Sequence, residues 1–265
     1  MSRRNPGIVK YLLAMGVGVV ILQPVSAQYR GELFQPRFGL AEWRTIHVGM
    51  TIPQIDGESD TFGPDRWSSS YLVPDDPAPE YPRTEATTSG EDDSELAAID
   101  DHSEAIARWA FKYSARSLAD RNPATGWSEG VEGDGVGEVV LAKVDTRRPV
   151  FVRNGFQMSK ELFLANNRVK RVRVFLLQAG KRMPNQFDSP YAEVKVLAAV
   201  DAELSDTMGF QRLPVPPNAI EPMTEWDGSV TDPPQYASFV ALQILSVYPG
   251  TRYHDTCLSD VYNLE

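Results

Sequence analysis

The 265-residue chain holds a single cysteine, Cys257, and can form no disulfide within itself. Its core must therefore hold together by packing and hydrogen bonding alone. Cys257 reads as a small buried hydrophobe near the last strand, because a reactive thiol wants an electropositive setting and Asp255 stands beside it. Histidine is nearly as scarce: His47, His102 and His254 lie far apart and lack metal-ligand spacing. There is no Gly-x-Ser-x-Gly elbow and no His-Glu-x-x-His pair, no internal repeat and no heptad pattern. Basic charge is in deficit, with 26 Lys and Arg against 36 Asp and Glu for a formal net charge of −10. That balance argues against nucleic acid as a partner. Carboxylates are plentiful, but their abundance in an acidic chain says nothing about general acid–base work. The chain therefore reads as a non-enzyme, with a hydrolase whose site is assembled from loops as a rival reading.

The apolar run from Tyr11 to Leu22 is too short and too glycine-rich for a membrane span. Arg3, Arg4 and Lys10 precede it, and Gln23, Pro24 and the small residues Val25-Ser26-Ala27 follow. That is the layout of a secretory signal peptide over residues 1–27. Export to the periplasm or the extracellular space is expected, with an uncleaved N-terminal membrane anchor as the alternative. No cysteine sits at the cleavage point, which argues against a lipid anchor.

Residues 28–72 form an N-terminal extension of unknown role. Trp43, Ile46, Val48, Met50 and Ile52 alternate with polar or small residues and predict one strand. The extension is too short for a core of its own, so it packs on the main domain or stays loosely ordered. Residues 73–95 are rich in Pro, acids, Ser and Thr and read as an acidic, mobile linker. From 96 to 265 short apolar runs alternate with turn signals. Strands are expected over 105–111, 138–144, 150–153, 172–176, 193–196, 240–244 and 258–262. Two stretches compete as helix: 96–108, through the gaps between Leu96, Ile99 and Ile106, and 159–166, over Leu162 and Phe163. The fold class is all-β, an antiparallel jelly-roll β-sandwich. A Pro-rich insertion lies between Leu213 and Gln235, and a loop of that length is functional or disordered. Gly133, Gly135 and Gly137 precede a strand rather than a helix, so they mark a tight turn and not a nucleotide loop.

The most specific pattern is Asp120, Asn122, Thr125, Trp127, Glu129 and Gly130, followed by Gly133, Gly135, Gly137 and Glu138. It resembles the opening motif of the NADase-type glycan-binding domain, or NAD glycohydrolase translocation domain. That family is related to the discoidin (coagulation-factor type C), galactose-binding-like domains. Three further blocks follow in order: Asn154-Gly155-Phe156-Gln157; Asn166-Asn167-Arg168-Val169-Lys170; and Tyr248-Pro249-Gly250 with Tyr253, Asp255 and Thr256, closed by Leu258-Ser259-Asp260-Val261. The resemblance implies a jelly-roll sandwich used for attachment, often to glycans. It does not imply NAD hydrolysis, which belongs to a separate domain in proteins that carry both.

In discoidin-like folds a structural calcium often sits in a turn such as Asp120-Asn122-Thr125, closed here by Asp260. Calcium asks for six to eight oxygens. Arg121 stands where the family has glycine, and Asp260 replaces a longer Glu, so an Asx-type turn with no ion stays open beside it. No other cofactor is expected. Trp127 reads as core. Loop aromatics Trp226, Tyr248 and Tyr253 are the candidates for stacking on a sugar. Arg168, Lys170, Arg171 and Arg173 form a basic patch, read as a solvated sheet face, with an acidic ligand or the chain's own linker as alternatives. Arg168 and Lys170 join the aromatics as candidate ligand contacts. The expected partner is a glycan or another envelope component, with a protein partner as the rival; neither nucleotide nor nucleic acid is expected.

Overall fold

The computed structural model describes residues 43–55, 65–80, 93–182 and 190–264. The expected export signal and residues 81–92 of the expected linker lie outside the described residues.

Two sheets pack face to face. The first runs β2 (Arg66–Ser68), β4 (Val139–Lys143), β10 (Ser238–Tyr248), β6 (Asn167–Gln178), β8 (Tyr191–Glu203) and β1 (Thr51–Ile55). The short β7 (Lys181–Arg182) pairs with the start of β8. The second runs β3 (Trp127–Ser128), β11 (Thr256–Asn263), β5 (Val150–Asn154) and β9 (Phe210–Leu213). Every strand pairing is antiparallel except one. Where the sheets join, β11 meets β6 in a short parallel contact, Thr256 against Asn167 and Cys257 against Arg168.

Between the sheets Val140, Ala142, Val172, Val174, Val240 and Leu242 meet Trp127, Val150, Val152, Leu258 and Val261. These are the alternate residues of each strand, as the period-2 pleat requires. The other set from the first sheet, Val139, Leu141, Phe175, Leu177, Phe239 and Ala241, is buried as well, under a second cluster. Its cover is Trp43, Ile46, Ile52 and Ile55 from the N-terminal extension and Met223 from the Pro-rich insertion. Burial on both faces explains why β10 reads Phe-Val-Ala-Leu rather than apolar–polar.

The N-terminal extension is thus part of the body. Arg44 Nε and the hydroxyls of Ser69 and Ser70 donate to the buried carboxylate of Glu138, from 2.5, 2.7 and 2.5 Å. Burial alone would raise the Glu138 pKa, but these three donors more than offset it and hold the group below the usual carboxylate range. Trp127 Nε1 donates to Ser70 O at 2.8 Å, so Trp127 belongs to the core as expected. Gly130 lies so close to Tyr71 O that no Cβ fits there.

Two expected strands are corrected. Residues 43–50 turn rather than extend, with Ile46 N on Trp43 O, Met50 N on His47 O and Gly49 at φ +88°, so the strand of the extension is only Thr51–Ile55. Residues 105–110 belong to a helix, α1 (Asp93–Ala110), and Phe111 lies in the turn after it. Among its described side chains Ile106 and Ala110, four apart, are buried, while Glu104 and Arg108 form an exposed i,i+4 pair on another side. The helical spacing, not the apolar run, decided the conformation. The second helix, α2 (Lys160–Ala165), falls where expected; Ser159 caps it by accepting from Leu162 N at 3.1 Å. No helix among the described residues is long and apolar enough to cross a membrane.

Candidate functional site

The family-like blocks converge on one end of the sandwich, where β6 and β11 start and β10 finishes. The Asn154 side chain bonds both the N–H and the C=O of Val169, at 2.9 and 2.7 Å. Gln157 Nε2 donates to Asn154 O, and Gly209 N donates to Gln157 Oε1. Asn167 accepts from Gly250 N at 2.6 Å and donates to Asp134 Oδ1 and His254 O. Gly155, at φ +72°, leaves the room that Arg168 Cγ and the Phe163 ring fill.

Arg168 is locked inside this network. Nε and Nη2 hold the two oxygens of Asp206 at 2.9 and 2.8 Å, and Nη1 donates to Asn166 O and Pro249 O. With its side chain 5% exposed, it ties loops together and is not presented to a ligand, which corrects its reading as a contact. Lys170 lies 5.5 Å over the Tyr248 ring, whose hydroxyl donates to Leu204 O at 3.0 Å. The outward-facing Arg171 and Arg173 pair with Asp201 of β8. Tyr253 is partly exposed beside Arg252. Trp226 is far from all of these along the fold, 76% exposed on a tight turn of the insertion closed by Gly228 N to Glu225 O. The structure does not bring the five expected contacts into one site.

The expected calcium ligands also spend their oxygens internally. Asp120 Oδ1 accepts from Asn122 N at 2.8 Å and Oδ2 from Thr125 Oγ1 at 2.6 Å. Asp260 is fully buried; its Oδ1 accepts from Arg121 N, and its Oδ2 pairs with Arg153 Nη1, both at 2.9 Å. Arg121 reaches this position with φ +58°, the conformation that glycine would take more easily. A guanidinium therefore sits against the acid that would close an ion site, and the residues present do not fit calcium. Burial raises the Asp260 pKa to about 6 despite Arg153 and the Arg121 amide. Cys257 is buried and its thiol is pushed up to about 12, so it is unreactive.

A concavity lies at the opposite end, where β4 and β11 finish and β8 and β10 start. A cleft of about 560 Å³ is lined by Lys143, Arg147, Arg182, Tyr191, Gln235 and Tyr236, with Met223 and Pro234 from the insertion. A smaller one of about 290 Å³ adjoins it, reaching Asp65, Asp145 and Asn263. Both share Lys143, Arg147, Tyr236 and Ala237, and Arg147 lies over the Tyr236 ring at 4.5 Å.

Lys143 Nζ donates to Asp65 Oδ2 at 2.6 Å and to the Tyr191 hydroxyl. Burial works against its charge, but Asp65 and Tyr191 outweigh it and the ammonium pKa rises. Tyr191 stays a neutral phenol, its pKa raised by burial and then by Asp65. Asp65 Oδ1 and Thr146 Oγ1 are buried here without a hydrogen-bond partner. Nothing in the spacing of Asp65, Lys143, Arg147, Arg182, Tyr191 and Tyr236 marks them as neighbours. They come from three strands and three loops, and only the fold assembles them.

The NAD glycohydrolase translocation F5/8 type C domain family matches residues 91–264, roughly two-thirds of the chain, and all the blocks just described fall inside that span. The chain belongs to this family. Of its cleft residues, Asp65 lies outside the matched span, as do Arg44, Ser69 and Ser70, which satisfy Glu138. No curated protein matches the chain. Among solved structures, a GH29 fucosidase of Ruminococcus gnavus in complex with fucose is similar at 9% identity and a TM-score of 0.23. A mutant of that enzyme gives the same figures. The alignment covers 58% of this chain and 23% of the fucosidase, and so slight a likeness bears on neither fold nor ligand.

Proposed function

We propose that this F5/8 type C domain is a non-catalytic, exported module that binds carbohydrate in the cleft at the Lys143–Tyr236 end. The observation that carries the reading is the cleft's lining. Two tyrosines offer ring surface, and Lys143, Arg147, Arg182 and Gln235 place hydrogen-bonding groups around them. A sugar needs that combination, apolar ring faces meeting an aromatic while its hydroxyls find donors and acceptors. Asp65, whose Oδ1 is buried without a partner, lines the smaller concavity beside it. Family membership supports a binding or translocation module rather than an enzyme. Among the described residues no group of three metal-binding side chains occurs.

The test is a glycan array probed with the wild-type chain and with Tyr236→Ala. Saturable binding that is lost in the variant supports the reading; binding unaffected by the variant, or none to any glycan, sinks it. A protein partner is the second reading. It rests on Met158 and Met208, exposed on loops joined through Gln157 and Gly209, and on Phe210, exposed at the start of β9. Substituting Phe210 by Ser would abolish such docking and leave glycan binding untouched.

A further inference from the structure

We infer, on the carbohydrate reading of the cleft, that its ligand is an acidic sugar whose carboxylate is received by Arg182. The larger cleft is lined by three cations, Lys143, Arg147 and Arg182, and by no carboxylate, in a chain whose net charge is −10. Two of the three are already committed. Lys143 is held by Asp65 and Tyr191. Arg147 faces both oxygens of Asp145, with Nε at 2.8 Å from Oδ1 and Nη2 at 3.2 Å from Oδ2.

Arg182 differs. Its Nη1 donates to a neutral acceptor, Gln235 Oε1, at 3.1 Å, and no described carboxylate pairs with it. A guanidinium carries five donors in a planar fork, and a carboxylate meets two of them side by side. Lysine has no such fork, so the arrangement favours a flat carboxylate over a point anion.

The fork is also held in place from behind. Arg182 N donates to Thr224 O at 3.1 Å, anchoring β7 to the insertion. Gln235 is fixed on both sides of its own backbone, its N–H to Thr231 Oγ1 and its C=O from Met223 N, each at 2.7 Å. Tyr236 follows Gln235 in the chain, so the residue that steadies the guanidinium is covalently tied to the residue that offers a ring. A pyranose against Tyr236 with its carboxylate on Arg182 uses both at once. The Pro-rich insertion thereby acquires a role: it carries Met223, Thr224, Gln235 and Tyr236 to the sheet end as one braced unit.

The experiment is calorimetric titration of the full chain with trigalacturonate and with glucuronate- and sialate-terminated oligosaccharides, each beside its own methyl ester. The ester keeps the ring and hydroxyls and removes the charge. The expected result is that at least one acid binds about tenfold more tightly than its ester. Arg182→Gln then brings the acid down to the ester's affinity without moving the melting temperature. Equal affinity of acid and ester, or an Arg182→Gln variant that weakens both alike, overturns the inference while the carbohydrate reading stands. Competition by acetate as strong as by the oligosaccharide also overturns it, as the cleft is then a small-anion site. Binding of no oligosaccharide, charged or neutral, removes the carbohydrate reading itself.

Discussion

The two ends of the sandwich are built on opposite terms. At the end where β6 and β11 begin, Asn154, Gln157, Asn167 and Arg168 spend their polar groups on one another and on nearby backbone. At the other, Lys143, Arg147, Arg182 and Tyr236 surround open space, and Asp65 keeps an oxygen unpartnered. The first end carries the residues by which the family is recognised, and the second carries a concavity lined by cations and tyrosines. A buried polar network tolerates few substitutions, because each lost partner strands another group. Such a network leaves a strong mark on a sequence without being a binding site.

The largest expected effect breaks the closed end. Arg168→Ala strands Asp206 and two carbonyls and should lower stability by about 3 kcal/mol, measured by chemical denaturation. Ligand affinity of the folded fraction should be unchanged; a variant of normal stability that fails to bind would move the site to this end.

A second effect of similar size comes from Glu129, buried beside Gly135, whose missing Cβ leaves room for it. Burial raises its pKa to about 7 against hydrogen bonds from Val131 and Thr256 that pull it down. The folded pKa lies above the unfolded value, so the folded state binds the proton more tightly. Stability is greatest below the unfolded pKa of 4.5 and is lost as pH rises to about 7. The loss is on the order of 3 kcal/mol for a shift of this size. Glu129→Gln should flatten that slope in denaturation curves at pH 5 and pH 8, and an unchanged slope would place the titration elsewhere.

At the open end the prediction reverses. Tyr236→Ala should shift stability by no more than about 0.5 kcal/mol, because the ring is half-exposed. Glycan binding should weaken about tenfold, read by calorimetry. The smallest effect concerns calcium. With Arg153 seated on Asp260, neither EDTA nor millimolar calcium should move the melting temperature, whereas an ion at a hundred times its Kd would add about 2.7 kcal/mol.

What the sequence disclosed follows the same division. β4, β5, β6, β10 and β11 were legible because their apolar runs end at turn residues, as at Asn154-Gly155. The double burial of the first sheet was not, because Trp43, Ile52 and Met223 reach it from segments that look unrelated to it. Residues 105–111 misled because Ile106, Ala110 and Phe111 suit a strand or a helix equally by composition. The basic patch on β6 was visible as a run of charge, but alternation sends Arg171 and Arg173 outward to Asp201, while the parallel junction with β11 buries Arg168. The cleft residues gave no signal, since convergence of distant side chains leaves no spacing to read.

The most direct measurement is an amide-resolved NMR titration of the full chain with the tightest oligosaccharide found on the array. Shifts confined to Lys143, Arg147, Arg182, Tyr191 and Tyr236, with Arg168, Tyr248 and Tyr253 still, are the expected result. Shifts centred on Arg168, Tyr248 and Tyr253, with the Lys143–Tyr236 cleft silent, would contradict it.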